Sequence, residues 1–246
     1  MDSKASTASG TAPGRFGKLL IRMFMKQVRV TDVETVAESF RLVTLESPQF
    51  KGVAWSPGQK VQIAMGSAFV ARTFTPIEWD AVAGRTRILG YMHGQGPGND
   101  WLQYLHVGDA CDVFGPRASL DVSHLMSMPV VFGDETSIGL LCALAGQYPL
   151  RRARFLLEVN EAATAAKVLA RMGIDEVELF ERAPGDMHLA DIETRLPALV
   201  ALGDTFLLTG KASSIQRLGR RIKALGASGP RLLSKPYWAL GRQGLD

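Results

Sequence analysis

Near residue 125 the apolar residues change their spacing, so this chain has to build two different kinds of sheet. From about Met25 to Asp121, six short segments with partial alternation follow one another: QVRVTDV, SFRLVTLE, QKVQIAM, ARTFTPIE, TRILGYMHG and ACDVFG. The turn signals SPG, AGR and GPR separate them. Short alternating strands at this density predict an antiparallel barrel. After SHLMSMP, buried strands alternate with helices: PVVFGD, TSIGLLCALAGQ, ARFLLEV, a helix from about Ala162 to Met172, EVELFE, LADIETRL, TFLLTG, SSIQRLGRRIKALG and RLLSKPYW. That alternation predicts a parallel sheet with helices on both faces. The expected fold class is therefore β plus α/β, with a six-stranded antiparallel barrel at residues 25–125 and an α/β domain at 126–246. Residues 1–24 are expected to be a disordered tail followed by a helix. In that helix Lys18, Arg22 and Lys26 recur every four residues opposite Phe16, Leu19, Leu20 and Met23. It reads as a helix packed on the domain or as a basic helix on a membrane surface.

Composition excludes several function classes. The 246 residues are 46% hydrophobic and 21% charged, which is neither a disordered nor a membrane-spanning profile. No apolar run approaches the roughly 18 residues of a membrane helix, so no integral membrane segment is expected. A net charge of +4 and a pI near 9.2 make too weak a field to indicate nucleic acid. They allow a local basic patch for a small anion. Cys111 and Cys142 are too few for a zinc or iron–sulfur site, and nothing requires them to pair; they read as small core residues. With no secretion signal in view, a reducing cytoplasm is the expected compartment, and a monomer is compatible with the sequence.

Two segments carry ligand-binding chemistry. In RTFT, strand alternation puts Arg72 and Phe74 on one face with Thr73 and Thr75 opposite. Arginine can clamp a diphosphate and an aromatic ring can stack on a heterocycle. Pro76 bends the chain and turns the Thr75 hydroxyl toward the same ligand. In HGQGPGNDWLQYL, Gly94, Gly96 and Gly98 precede Asn99 and Asp100, both good N-cap residues. Such a loop brings backbone N–H groups and a helix N-terminus to a phosphate. An ordinary edge strand and an ordinary turn are the alternatives.

RTFT, HGQGPGNDWL, GDACDVFGPRASL, VVFGDETSIGLL and KPYWALGRQG, in that order, resemble the siderophore-interacting flavoproteins, a branch of the ferredoxin–NADP reductase superfamily. The resemblance runs from about Lys26 to Gly241. It implies FAD on the barrel, NADPH or NADH on the α/β domain, and a ferric siderophore reduced to release Fe(II). It further implies that Arg72 pairs with the FAD diphosphate, Phe74 stacks on the isoalloxazine, and Thr75 bonds near flavin N5 as the catalytic candidate. Thr73 and His93 would join the cofactor contacts, and Gly94, Gly96, Gly98 and Asn99 would line the diphosphate loop. Gly133, Asp134, Glu135 and Thr136 match the family's GDET at the nicotinamide site, and Tyr237 and Trp238 its terminal aromatic pair. Four places depart from the family pattern. Phe74 stands for the usual Tyr, Pro76–Ile77 for a stretch that commonly holds a further arginine, Asn99 for a usual serine or threonine, and Gly210–Lys211 for a common GE pair.

Plainer readings stand beside these. Gly133 to Thr136 could be a strand-to-helix turn with Thr136 as N-cap, Trp238 simple packing, and His93 a loop-stabilising donor. Arg217, Arg220, Arg221 and Lys223 could meet a 2′-phosphate or form a solvated helix face. Glu158 ends a strand where a ribose-binding acid would stand, but GxGxxG is missing. No protein-bound metal is expected, because iron would arrive in its chelator. Lys60, Arg117 and Lys235 are the candidates for a basic rim facing an anionic siderophore. A reductase of free flavin or ferredoxin, or a non-enzymatic siderophore binder, are the alternative functions.

Overall fold

A computed structural model describes residues 24–67, 70–125, 129–147 and 154–242. The predicted tail and nearly all of the predicted N-terminal helix lie outside the described residues, and Lys26 already belongs to the first strand. The first sheet contains β1 (Lys26–Ala37), β2 (Phe40–Glu46), β3 (Lys60–Ser67), β4 (Val70–Phe74), β5 (Pro76–Asp80), β6 (Arg85–Tyr91) and β7 (Ala110–Arg117). These seven strands run in the order β4-β3-β7-β1-β2-β6-β5, and each neighbouring pair is antiparallel.

The sheet has one strand more than the six segments read from the sequence, because ARTFTPIE is two strands. Val70–Phe74 pairs with β3, and Pro76–Asp80 pairs with β6. β4 and β5 are the two outer strands of the sheet, yet only Thr75 separates them in the chain. The sheet's two ends therefore meet at Thr75, which curls it into a barrel. Proline is tolerated as the first residue of a strand, and Pro76 holds that place. Inside the barrel Val28, Val30, Val43, Leu45, Ile63, Ile88 and Val113 are all at most 2% exposed. A short helix, α1 (Pro97–Tyr104), adds Leu102 to this core.

The second sheet is wholly parallel. Its strands are β8 (Val130–Asp134), β9 (Arg154–Val159), β10 (Val177–Glu181), β11 (Phe206–Lys211) and β12 (Leu232–Trp238), in the order β10-β9-β8-β11-β12. The helices are α2 (Ile138–Gln147), α3 (Ala162–Arg171), α4 (His188–Ala201) and α5 (Ala212–Ala224). Alternate strand residues feed opposite faces. Val131, Phe155, Leu157 and Leu207 pack with α2 and α3, whereas Val130, Phe132, Leu156, Phe206 and Leu208 pack with α4 and α5. Burial on both faces explains why these strands read as continuous apolar runs. The α2–α3 core also takes in Phe40, Leu120, Val122 and Leu125, so one apolar cluster joins the barrel side to the parallel sheet. Strand order reverses between β8 and β11, and their carboxyl ends are where an open parallel sheet takes a ligand.

Candidate functional site

Thr75 stands at the corner where the barrel, α2 and β12 converge. A Cβ at Gly139 of α2 would lie 3.1 Å from the Thr75 carbonyl oxygen, and the Thr75 side chain is hydrogen-bonded with the Tyr237 phenol. Beside this corner opens a cavity of about 330 Å³. Arg72, Thr73, Phe74 and Thr75 all line it, although alternation alone would split them between two faces. The curl of the chain at Thr75 is what brings them together. His93, Gly96, Gly98 and Asn99 form a second wall; Thr136, Lys60, Lys235, Tyr237 and Trp238 complete it.

The loop wall is built as a cradle. Gly96 is the N-cap of α1 at φ 142°, ψ 171°, a conformation open only to glycine, and no side chain caps the helix. The helix therefore starts at Pro97, and Asn99 and Asp100 lie in its first turn instead of capping it. Proline at the first helical position was the sequence signal for that start. A Cβ on Gly98 would come 3.0 Å from Cγ of Arg72, so glycine lets the helix start press against the arginine stem. The Arg72 guanidinium donates only to the neighbouring Ala71 carbonyl, at 2.9 Å, and has no carboxylate partner among the described residues. Among the described residues no Asp or Glu lines the cavity. A guanidinium, an uncapped helix start and no opposing acid make an anion-accepting groove.

The other surfaces are aromatic. Phe74 lies 5.8 Å from Trp101, His93 stacks on Tyr91 at 5.2 Å, and Trp238 lies 6.2 Å from His93, all between ring centres. Burial holds the His93 imidazole below its usual range, which keeps it neutral at pH 7. Burial likewise pushes the Tyr237 phenol up to about 12, so it remains a hydroxyl.

Gly133, Asp134 and Glu135 do not line the cavity; they form the layer behind it. Asp134 is fully buried and accepts the Trp238 Nε1–H at 2.7 Å and the Thr136 backbone N–H at 2.9 Å. Asp134, not Thr136, is the N-cap of the turn Glu135–Ser137. Glu135 takes both arms of Arg182, at 2.9 and 2.8 Å, and the Asn160 N–H at 2.6 Å. Gly94 and Arg117 also lie off the cavity; Arg117 covers the Phe114 ring at 4.4 Å and donates to Gln62. Glu158 is fully buried against His188 Nε2 at 2.8 Å and the Ser214 hydroxyl at 3.0 Å, so it faces no crevice. Arg217 is held by Glu193. Cys111 and Cys142 are free, and burial pushes both thiols up to about 12, as suits packing residues. Among the described residues no cluster of His, Cys, Asp and Glu could hold a metal ion.

Among the wall residues that sequence reasoning missed, Tyr91 and Arg242 carry polar chemistry. Tyr91 supports the His93 ring, and its hydroxyl oxygen accepts a hydrogen bond from Asn160 Nδ2 at 2.9 Å. Arg242 adds a cation to the cavity; its place in the quoted GRQG, just past the terminal aromatic pair, was the available signal.

An antiparallel barrel leading into a five-stranded parallel sheet is the fold of siderophore-interacting proteins and of FAD/NAD-binding reductase domains, and this chain shares it. The siderophore-interacting protein SipS from Aeromonas hydrophila superposes with a TM-score of 0.70 at 18% identity, over 89% of this chain and 93% of that one. A siderophore utilization protein from T. fusca gives 0.67 at 22% identity, over 90% and 95%. The FAD/NAD-binding domain of nitric oxide dioxygenase from Vibrio cholerae gives 0.66 at 17% identity, over 87% and 98%. No protein-family model and no curated protein matches the sequence.

Proposed function

We propose that this chain is a flavin-dependent oxidoreductase that carries electrons from a nicotinamide nucleotide to a ferric siderophore. The observation that carries the reading is Arg72, whose guanidinium has no carboxylate partner among the described residues and whose stem lies against the uncapped start of α1, in a groove that no described Asp or Glu lines. The residues fit a dinucleotide. A Cβ atom built on Gly96, which lines the cavity, would meet nothing within 4 Å, which leaves open space where a diphosphate would lie.

When bound, FAD supplies acceptance of a hydride and release of electrons one at a time. The protein's part is binding, orientation and electrostatics. Arg72 and the amides at the start of α1 would hold the diphosphate, and Phe74 would cover the flat ring. Thr75, fixed by Tyr237, would direct its hydroxyl at the redox edge. Tyr237 and Trp238 would close the wall facing the parallel sheet and exclude water. Lys60, Lys235 and Arg242 give the cavity a positive field that favours an anionic acceptor such as a ferric siderophore. The siderophore-related names of two neighbours favour that acceptor over free flavin or ferredoxin.

Purified protein should show a flavin spectrum, as isolated or after adding FAD, and bleach anaerobically with NADH or NADPH. Steady-state turnover should then be faster with anionic ferric siderophores than with free flavin or ferredoxin. A colourless protein that rejects FAD but binds siderophore would replace the enzyme reading with a carrier. Turnover limited to flavin or ferredoxin would keep the reductase and remove the siderophore.

A further inference from the structure

In an open parallel sheet the nucleotide lies outside the carboxyl ends of the strands, where strand order reverses. Here that place is outside the carboxyl ends of β8 and β11, and the inference rests on the reductase reading given above. NADH and NADPH differ there by one group, a 2′-phosphate, which needs a cation with donors free to turn toward it. Besides Lys235 and Arg242 in the cavity wall, three cations among the described residues stand around these strand ends. Lys211 closes β11, Arg182 follows β10, and Arg217 lies in the second turn of α5.

Each is already committed to a carboxylate. Lys211 Nζ donates to Asp186 Oδ1 at 2.8 Å. Arg217 makes a two-armed pair with Glu193 at 2.8 and 2.9 Å and donates a third bond to the Asp186 carbonyl at 3.1 Å. Arg182 is clamped by Glu135 and also donates to Asn160 at 2.8 Å. The Lys211 and Arg182 side chains are only 14% and 18% exposed, so neither can swing out cheaply. The hydrogen bond from Lys211 holds the Asp186 carboxyl below its usual range, and that from Arg217 does the same for Glu193, so both stay anionic at neutral pH. Arg220, Arg221 and Lys223 lie on the exposed face of α5, about 12 Å or more along the helix from Ala212 at 1.5 Å per residue. A phosphate entering beside Lys211 or Arg217 would face a resident carboxylate.

We propose that this protein takes the nicotinamide nucleotide with a free 2′-hydroxyl, NADH, and discriminates against NADPH, with Asp186 and Glu193 as the specificity-determining residues. They act by occupying the cations that a 2′-phosphate would need and by repelling it. No new contact to NADH is required; the selection lies in rejection of the competitor.

Calorimetric titration of NAD⁺ and NADP⁺ into the FAD-loaded protein reads this without turnover. Wild type should bind NAD⁺ at least about tenfold more tightly than NADP⁺, a factor matching the loss of one charge-assisted contact. Asp186→Asn and Glu193→Gln should each narrow that ratio severalfold. NADP⁺ binding as tightly as NAD⁺ to wild type would overturn the specificity inference and leave the reductase reading standing. Variants that fold, by circular dichroism, but leave the ratio unmoved would remove Asp186 and Glu193 from the role. A flavin-loaded protein that binds neither nucleotide would overturn the inference together with its premise of a nicotinamide donor.

Discussion

Trp238 donates its indole N–H to the buried carboxylate of Asp134 at 2.7 Å, across 104 positions of sequence. The contact ties the last strand of the parallel sheet to the end of its first. Asp134 touches no part of the cavity, yet it fixes the ring that walls it. The Arg182 guanidinium, 3.8 Å from Asp134 and 5.9 Å from the Trp238 ring centre, backs the pair.

Burial pushes the Asp134 carboxyl up to about 6, against the bonds from Thr136 and Trp238 that favour its anion. The sign follows from linkage. A carboxyl whose folded pKa exceeds its unfolded value of about 3.9 binds protons more tightly in the native state, so stability falls as pH rises between about 4 and 6. Above that window the buried charge costs on the order of 3 kcal/mol, at 1.36 kcal/mol per pKa unit. Asp134→Asn should remove this contribution. Urea midpoints of wild type and variant, compared from pH 4 to 7, should diverge most across the window, and parallel curves would show that Asp134 is not the titrating group.

The carboxylate leaves no space opposite it. Gly210 has φ +95°, and a Cβ there would sit 2.4 Å from Asp134 Oδ2. Gly210→Ala combines that overlap with a disfavoured backbone, and it should destabilise the protein by roughly 2 kcal/mol or more. The Trp238 emission spectrum should change as well, because the displaced carboxylate is its hydrogen-bond partner.

Arg72 and Gly98 should fail in the same assay for different reasons. Arg72→Ala removes the cation, and roughly a hundredfold loss of FAD affinity is expected from a charge-assisted contact. Gly98→Val keeps the cation but drives a branched side chain into the Arg72 stem, 3.0 Å from the Cβ position. FAD titration followed by flavin fluorescence should show both losses with little change in far-ultraviolet circular dichroism.

Much of this fold is legible in the sequence because face burial writes itself as period. Val130–Phe132 and Phe206–Leu208 are buried on both sides and read as unbroken apolar runs. RTFT and HGQGPG were readable as neighbours in a site because residue chemistry, Arg beside aromatic and glycines before a helix, survives without coordinates. The split of ARTFTPIE at Thr75 was hidden, since alternation reports faces but not partner strands, and β4 and β5 pair at opposite ends of the sheet. The commitments of Lys211, Arg182 and Arg217 were equally hidden, because their carboxylates lie 24 to 47 positions away. A basic helix face in sequence looks the same whether its arginines are paired or free.

The cavity cations allow the acceptor to be tested apart from the flavin. Lys60→Ala and Lys235→Ala should each raise KM for an anionic ferric siderophore roughly threefold to tenfold at low salt, while a neutral one-electron acceptor is little affected. The difference should shrink as ionic strength rises and the field is screened. Equal effects on both acceptors would assign the lysines to the architecture of the cavity.

Thr75 offers the sharpest separation of binding from chemistry. Its backbone joins the two ends of the barrel sheet, while its side chain is hydrogen-bonded with Tyr237 and lines the cavity. Thr75→Ala keeps the backbone and deletes one hydroxyl. FAD affinity should stay within about threefold, whereas anaerobic reduction by NADH in a stopped-flow instrument should slow roughly tenfold, the scale of one lost oriented hydrogen bond. Tyr237→Phe frees the Thr75 hydroxyl without removing it, so it should slow reduction by less. A Thr75→Ala protein that is reduced at the wild-type rate would confine the residue to closing the barrel, and the search for the hydroxyl at the redox edge would move to Tyr237.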